Sequence, residues 1–319
     1  MLVFERVAII GQGLIGSSIS RAITKYGVAR QVALTDASPK VRQKVAELGL
    51  GVVFETSPQT VADADLVVVC VPVGQYGNVA KEIGPHLKSG AVVTDVGSVK
   101  SSVVRDMSPW LPKHVFFVPS HPVAGTEESG PEAGFAHLFV NRWCIITPLD
   151  DAAVEPVTKV REFWQAFGAN VETMSLKRHD EVLALISHLP HLIAFSLVGT
   201  ASHHEEASNS DVIKFAAGGF RDFTRIAASN PTVWRDIFLN NREIVLEMVA
   251  RFTEDLAALV KAIRWGDGDK LHDQFSKSRI VRRRIVDAGQ DTRAPDFGRL
   301  EREPALKLFL SRPYATDED

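Results

Sequence analysis

The sequence predicts an α/β protein of two domains: a doubly wound, mostly parallel sheet over residues 1–175, then an all-α domain over residues 176–290. Three observations carry that expectation. Short β-branched runs alternate with helical stretches through the first half, as strands joined by crossover helices do. A glycine-rich turn stands between the first strand and the first helix. From about Leu176 the apolar residues recur at intervals of three and four instead of in strand-length runs. The 319 residues suffice for two domains of ~150 residues each.

In chain order, Arg6–Ile10 reads as the first strand, Gly13–Tyr26 as the first helix and Gln31–Thr35 as the second strand. Ser38 is an N-cap for a helix over Pro39–Leu48, with proline at the first helical position, where its missing N–H costs nothing. Val52–Phe54, Leu66–Val71, Ala91–Thr94 and Val115–Val118 continue the strands. Nearly all are apolar without alternation, as expected of parallel strands covered on both faces. Trp143–Thr147 and Asn170–Met174 add two strands around a helix from Val154 to Phe167. Helices are then expected over 177–201, 208–229, 231–264 and 267–288. No Gly/Ser linker separates the halves, so the domains are expected to pack closely. Residues 291–319, with Pro295, Pro304, Pro313 and an acidic end, read as a loosely held tail.

Composition narrows the function classes. Lys+Arg 36 against Asp+Glu 39 leaves a net charge of −3, so no bulk positive field marks a nucleic-acid ligand. The two cysteines, Cys70 and Cys144, form neither a framework nor a CxxC pair. That suits a reducing cytosol and removes a cysteine-built zinc site. Glu5 interrupts the apolar core that a signal peptide needs, and no window is read as a membrane span. A cytoplasmic protein is expected, with neither nucleic-acid nor membrane partners.

Gly11-Gln-Gly13-Leu14-Ile15-Gly16 lies where a dinucleotide fingerprint belongs, after a strand and at the start of a helix. Gly11 permits the tight turn, Gly13 lets the backbone approach a pyrophosphate, and Gly16 lets helix and strand pack closely. Leu14 and Ile15 belong to the helix start, whose N–H groups and dipole favour phosphate. Asp36, 20 positions after Gly16, is placed to accept ribose hydroxyls and to repel a 2′-phosphate, so NAD is expected over NADP. The pattern is that of a Rossmann domain. Val71 and Pro72, ending one strand, and Ser98, after the next, are expected to complete the cofactor site at the carboxyl ends of the strands.

The loop after Val115–Val118 carries His121. A neutral imidazole there could accept a hydroxyl proton as hydride leaves the carbon that bears it. The alternative is a loop histidine without chemistry.

His121-Pro-Val-Ala-Gly-Thr-Glu127, Ser98-Val-Lys100, Ser187-His-Leu-Pro-His191 and Gly218-Gly-Phe-Arg-Asp-Phe-Thr-Arg225 resemble motifs of the prephenate/arogenate dehydrogenases of tyrosine biosynthesis, over roughly residues 6–288. The resemblance implies a Rossmann domain with a helical dimerisation domain, NAD as cofactor and a homodimer. It implies oxidative decarboxylation of prephenate to 4-hydroxyphenylpyruvate, of arogenate to tyrosine, or both. On it, His121 accepts the proton of the 4-hydroxyl, and Ser98 bridges that hydroxyl and the nicotinamide region. Arg225 pairs bidentately with a substrate carboxylate, a job lysine does poorly. His191 becomes a pocket residue with Ser187 and His188 beside it; for His188 a satisfied structural histidine is the equal alternative. Thr126 and Glu127 line the side-chain end of the pocket, and helix capping is the alternative for Glu127. Asp222 is expected to hold Arg225 by ion pairing, within the chain or across a dimer interface. Trp234 reads as pocket wall, interface or core. Tyrosine is a candidate inhibitor at the substrate pocket. One departure is visible: Ala217 stands where many relatives carry a third glycine before Phe220.

No metal is expected. His188 and His191 can share a helix face, but no third ligand recurs at a suitable spacing, and His203 and His204 do not complete a site. The run Arg279 to Arg284, lacking an aromatic platform, reads as a solvated helix face. Two other readings stay open: another two-domain NAD-dependent dehydrogenase of the β-hydroxyacid or imine-reducing type, and a non-catalytic NAD-sensing regulator.

Overall fold

The computed structural model describes residues 2–126 and 128–287. The first half alternates β1 (Phe4–Ile10), α1 (Leu14–Tyr26), β2 (Ala29–Thr35), α2 (Pro39–Glu47), β3 (Val52–Val53), α3 (Ser57–Val61), β4 (Leu66–Val69), α4 (Tyr76–Ile83), β5 (Val92–Asp95), α5 (Lys100–Met107) and β6 (Phe116–Phe117). The six strands pair in parallel in the order β3-β2-β1-β4-β5-β6. This is the doubly wound order, whose reversal between β1 and β4 opens a crevice at the carboxyl ends of the strands.

β1 shows why the strand sequences are apolar throughout. Val7 and Ile9 enter one core with Ile19 and Val68, while Ala8 and Ile10 enter the other with Val67, Val69 and Tyr76. Successive side chains leave a strand on opposite faces, and here both faces are covered.

A second sheet follows, built from β7 (Ser120–Pro122), β8 (Trp143–Ile146) and β9 (Asn170–Thr173), with α6 (Val154–Ala166) between the last two. β7 runs antiparallel to β8 and β8 parallel to β9. Where the sequence predicts a loop at Ser120–Pro122, the structure has a strand; three residues ending in proline are too few to show a period of two. Phe139, Phe163, Trp164 and Phe167 pack against this sheet with ring centroids 4.7–5.9 Å apart.

The rest is helical. α7 (Leu176–Leu183) passes through a π-helical turn, Ala184–His188, into α8 (Leu189–Ser208). Then come α9 (Gly218–Thr224), α10 (Pro231–Asn240), α11 (Arg242–Trp265) and α12 (Gly268–Asp287). The single helix expected over 208–229 is broken instead: Asn209 closes α8 at φ 47°, and Ala216 and Ala217 are extended before α9. The expected 231–264 helix breaks at Asn241. The stretch Leu176–Ser208, where no membrane span is expected, is long and apolar enough to cross a membrane by length and composition alone. The π-turn and the buried His188 lie inside it. One compact unit ends at Ala250 and a second begins at Arg251. Every site residue described below belongs to the first.

Candidate active site

The turn after β1 is shaped for a phosphate. Gly11 has φ +92°, and a Cβ there would stand 2.4 Å from the Cys70 carbonyl oxygen. A Cβ on Gly16 would meet the Gly11 carbonyl oxygen at 2.0 Å. The protein's own backbone therefore demands both glycines. Gly13 is different: nothing lies within 4 Å of its added Cβ, and no side chain caps the N-terminus of α1 that it opens. Open space at an uncapped helix N-terminus, with Leu14 and Ile15 half-buried beside it, fits a diphosphate. Asp36 follows β2 directly, and backbone hydrogen bonds hold its carboxylate. Oδ2 accepts from Gln12 N–H at 2.8 Å and Oδ1 from Ser38 N–H at 2.9 Å. Val71 and Pro72 follow β4, half-buried and exposed respectively. This chain's residues thus fit the NAD-binding pattern on both sides of the crevice.

β7 carries His121, only 8% exposed and opposite Ile145 on β8. Its Nδ1 is 2.8 Å from His179 Nε2, and His179 Nδ1 is 2.8 Å from Asp180 Oδ1. Asp180 in turn accepts the first N–H groups of α5, Lys100 at 2.7 Å and Ser101 at 2.9 Å. The Lys100 ammonium, wholly buried, pairs with the Asp95 carboxylate and donates to the Ser120 carbonyl at 2.6 Å. Asp95 also accepts from Ser120 N–H at 3.2 Å. A buried pair of this kind costs ~3–5 kcal/mol to break by removing one partner, because a lone charge is left inside. It ties the end of β5 to the start of β7 and so fixes the loop between β5 and α5, where Ser98 sits half-buried.

The electrostatics follow from burial. Desolvation, with the neighbouring charges of His179, Lys100 and His188, holds His121 well below the ordinary histidine value. His121 is therefore a neutral imidazole at neutral pH. Burial also lowers His179, against the opposing pull of Asp180. For Asp180, burial pushes upward, but the bonds from His179, Ser101 and Lys100 outweigh it and keep the carboxyl low.

A second cluster adjoins the first. Asn241 Nδ2 donates to the Asp180 carbonyl at 3.1 Å and to His188 Nδ1 at 3.2 Å. Burial brings His188 down to about 4, so its ring is neutral with the proton on Nε2. That Nε2 is buried with no partner among the described residues. His191 Nδ1–H donates to the Ser187 carbonyl at 2.9 Å. Its ring lies on Trp234, centroids 3.5 Å apart, and Trp234 stands edge-on to His188 at 6.1 Å. Burial lowers His191, and the positive charge of Arg225 lowers it further. The structure thus brings Ser187, His188, His191, Trp234 and Arg225 into one neighbourhood.

Three other residues singled out from the sequence stand elsewhere or outside. The Asp222 carboxylate accepts from Arg221 Nε at 3.0 Å, both groups largely exposed. Thr126 is exposed, and its Oγ1 accepts from Glu128 N–H at 3.2 Å. Glu127 lies outside the described residues. Sequence reasoning misses His179, Asp180, Asp95 and Asn241. The one local signal for them is a histidine and an aspartate side by side, two turns before the Ser187–His191 motif.

Comparison with known proteins bears on this geometry. A family model described as "Prephenate dehydrogenase, nucleotide-binding domain" matches residues 19–173, and one described as "Prephenate dehydrogenase, dimerization domain" matches residues 175–277. A cyclohexadienyl dehydrogenase of Zymomonas mobilis is 44% identical over 88% of this chain and 96% of its own. A prephenate dehydrogenase of Bacillus subtilis is 34% identical over 87% and 75%. Among solved structures, a prephenate dehydrogenase from A. aeolicus in complex with hydroxyphenyl propionate and NAD+ is similar, with TM-score 0.82 and 34% identity over 88% of this chain and 98% of that one.

Proposed function

The chain belongs to the prephenate dehydrogenase family, and on that premise we propose that it oxidises and decarboxylates prephenate, arogenate or both, with NAD, in tyrosine biosynthesis. The observation that carries the reading is His121, a buried, neutral imidazole past the carboxyl end of β6. NAD, when bound, supplies the hydride acceptor. The helix start over Gly11, Gly13, Leu14, Ile15 and Gly16 would hold it, with Asp36, Val71, Pro72 and Ser98.

The remaining roles are divided among the other site residues. His121 takes the proton of the substrate 4-hydroxyl, a general-base contribution worth ~10²–10⁴-fold. Ser98 orients that hydroxyl. Loss of the ring carboxylate as carbon dioxide leaves an aromatic product. Arg225 pairs with a substrate carboxylate, supported by its electrostatic reach to His191. His191, Ser187 and Trp234 wall the pocket. His188 offers the substrate an Nε2–H that has no partner among the described residues. Thr126 and Glu127 serve the side-chain end, and Asp222 steadies the Arg225 segment.

We also divide the chain at residue 175, into a nucleotide domain over 1–175 and a helical domain over 176–290. The boundaries of the two family matches support this. We propose a homodimer through the helical part, supported by the dimerization-domain match and by the exposed Phe215, Phe223 and Leu239. Tyrosine, whose phenol occupies the place of the substrate ring, competes for the same pocket. Kinship with biosynthetic dehydrogenases supports a cytoplasmic location.

The test is direct. Purified protein is incubated with NAD and prephenate, and separately with NAD and arogenate. NADH absorbance is followed, and the aromatic product is identified. Formation of 4-hydroxyphenylpyruvate or tyrosine in step with NADH is expected; turnover with neither substrate contradicts the assignment.

A further inference from the structure

We propose that His179 is a positioning residue that sets the tautomer of His121, so that the Nε2 lone pair of His121 is the one presented to substrate. This rests on the reading of His121 as the base. Asp180 receives three donors: Lys100 N–H, Ser101 N–H and the Nδ1 side of His179. No side chain caps α5 at its own N-terminus, so Asp180, reaching across from α7, supplies the acceptor for its first two N–H groups. A carboxyl accepting that many donors is ionised.

An ionised Asp180 fixes the next link. Only an Nδ1–H on His179 can satisfy Asp180 Oδ1 at 2.8 Å. His179 is also fully buried, and burial keeps it neutral, so its single proton stands on Nδ1 and its Nε2 is bare. That bare Nε2, 2.8 Å from His121 Nδ1, must accept. His121 therefore carries its proton on Nδ1, and its Nε2 is left as the free base. Were His179 turned to its other tautomer, it would donate to His121 Nδ1. The proton would then be forced onto Nε2, and the base would be blocked. Asp180 thus acts on His121 one ring removed, with the peptide groups of α5 as its anchor.

Two measurements test this. On the intact wild-type protein, two-bond ¹⁵N–¹H correlations of the histidine rings, assigned by comparison with His121→Asn, distinguish protonated from bare ring nitrogens. The expected pattern is protonated Nδ1 and bare Nε2 in both His121 and His179. A protonated Nε2 on His121 overturns the proposal whatever any variant does. The second measurement compares His179→Gln with His179→Leu. Glutamine can donate to Asp180 and accept from His121; leucine fills space and does neither. His179→Leu is expected to lower kcat about 10²-fold, within the span of a general base, with KM little changed, and His179→Gln to recover most of it. Equal activity in the two variants indicates mere packing and overturns the inference. The underlying reading fails differently: there His121→Asn itself keeps near-normal kcat.

Discussion

Trp234 and His191 are stacked face to face, their ring centroids 3.5 Å apart and their planes inclined by 21°. The contact fixes a histidine whose Nδ1 is already committed to the Ser187 carbonyl. An aromatic pair of this kind is worth ~0.5–1.5 kcal/mol beyond its buried area. Trp234→Ala is therefore expected to raise KM for the cyclohexadienyl substrate about threefold to tenfold, and Trp234→Phe to stay close to wild type. Steady-state kinetics at saturating NAD decide it; equal KM values in the two variants would assign Trp234 to packing alone.

The three glycines of the first turn separate folding from binding. Gly16→Ala puts a methyl 2.0 Å from a backbone oxygen, and overpacking of this sort costs ~1–3 kcal/mol or more. Gly13→Ala meets nothing within 4 Å and loses at most about 1 kcal/mol as a glycine N-cap. Thermal melts should accordingly show Gly16→Ala as much the less stable. NAD titration of Gly13→Ala should show affinity lowered tenfold or more in a chain that still folds. Normal NAD affinity in Gly13→Ala would place the phosphates elsewhere.

Asp36 is held by two backbone N–H groups before any ribose arrives. Asp36→Ser should weaken NAD and admit NADP, since the repelling carboxylate is gone. Comparing KM for the two cofactors checks this. A variant with unchanged NAD affinity that still excludes NADP would remove Asp36 from the cofactor site.

Stability should fall on mild acidification. His121, His179 and His188 are buried and lowered, by desolvation first, with Lys100, Asp95 and Asp180 as the charged groups around them. A histidine whose folded value is depressed binds its proton in the unfolded chain first, so stability rises with pH through the unfolded value of about 6.5. The loss therefore develops between about 6.5 and the folded values, about 4 for His188. Urea midpoints measured from pH 7.5 to 4.5 should decline across this window. A midpoint flat to pH 4.5 would mean these rings are not buried neutral.

What the sequence made legible was local. Gly11 to Gly16 with Asp36, and the apolar strands β1, β2, β4 and β5, are read from neighbouring residues, because turn chemistry and strand burial are set within a few positions. His179 and Asp180 were not legible. Their partners stand 58 and 80 positions away, so only the folded chain brings β7, α5 and α7 together. The break of the expected 208–229 helix has a similar cause. Asn209 adopts a left-handed conformation and Gly218-Gly219 weakens the helix, which outweighs an apolar spacing that continues through both.

The central claim is that His121 is the base of an NAD-dependent prephenate/arogenate dehydrogenase, and His121→Asn tests it most directly. With NAD and whichever substrate the wild-type protein turns over, kcat should fall by ~10²–10⁴-fold while NAD affinity is unchanged. A His121→Asn enzyme with near-normal kcat would contradict the account.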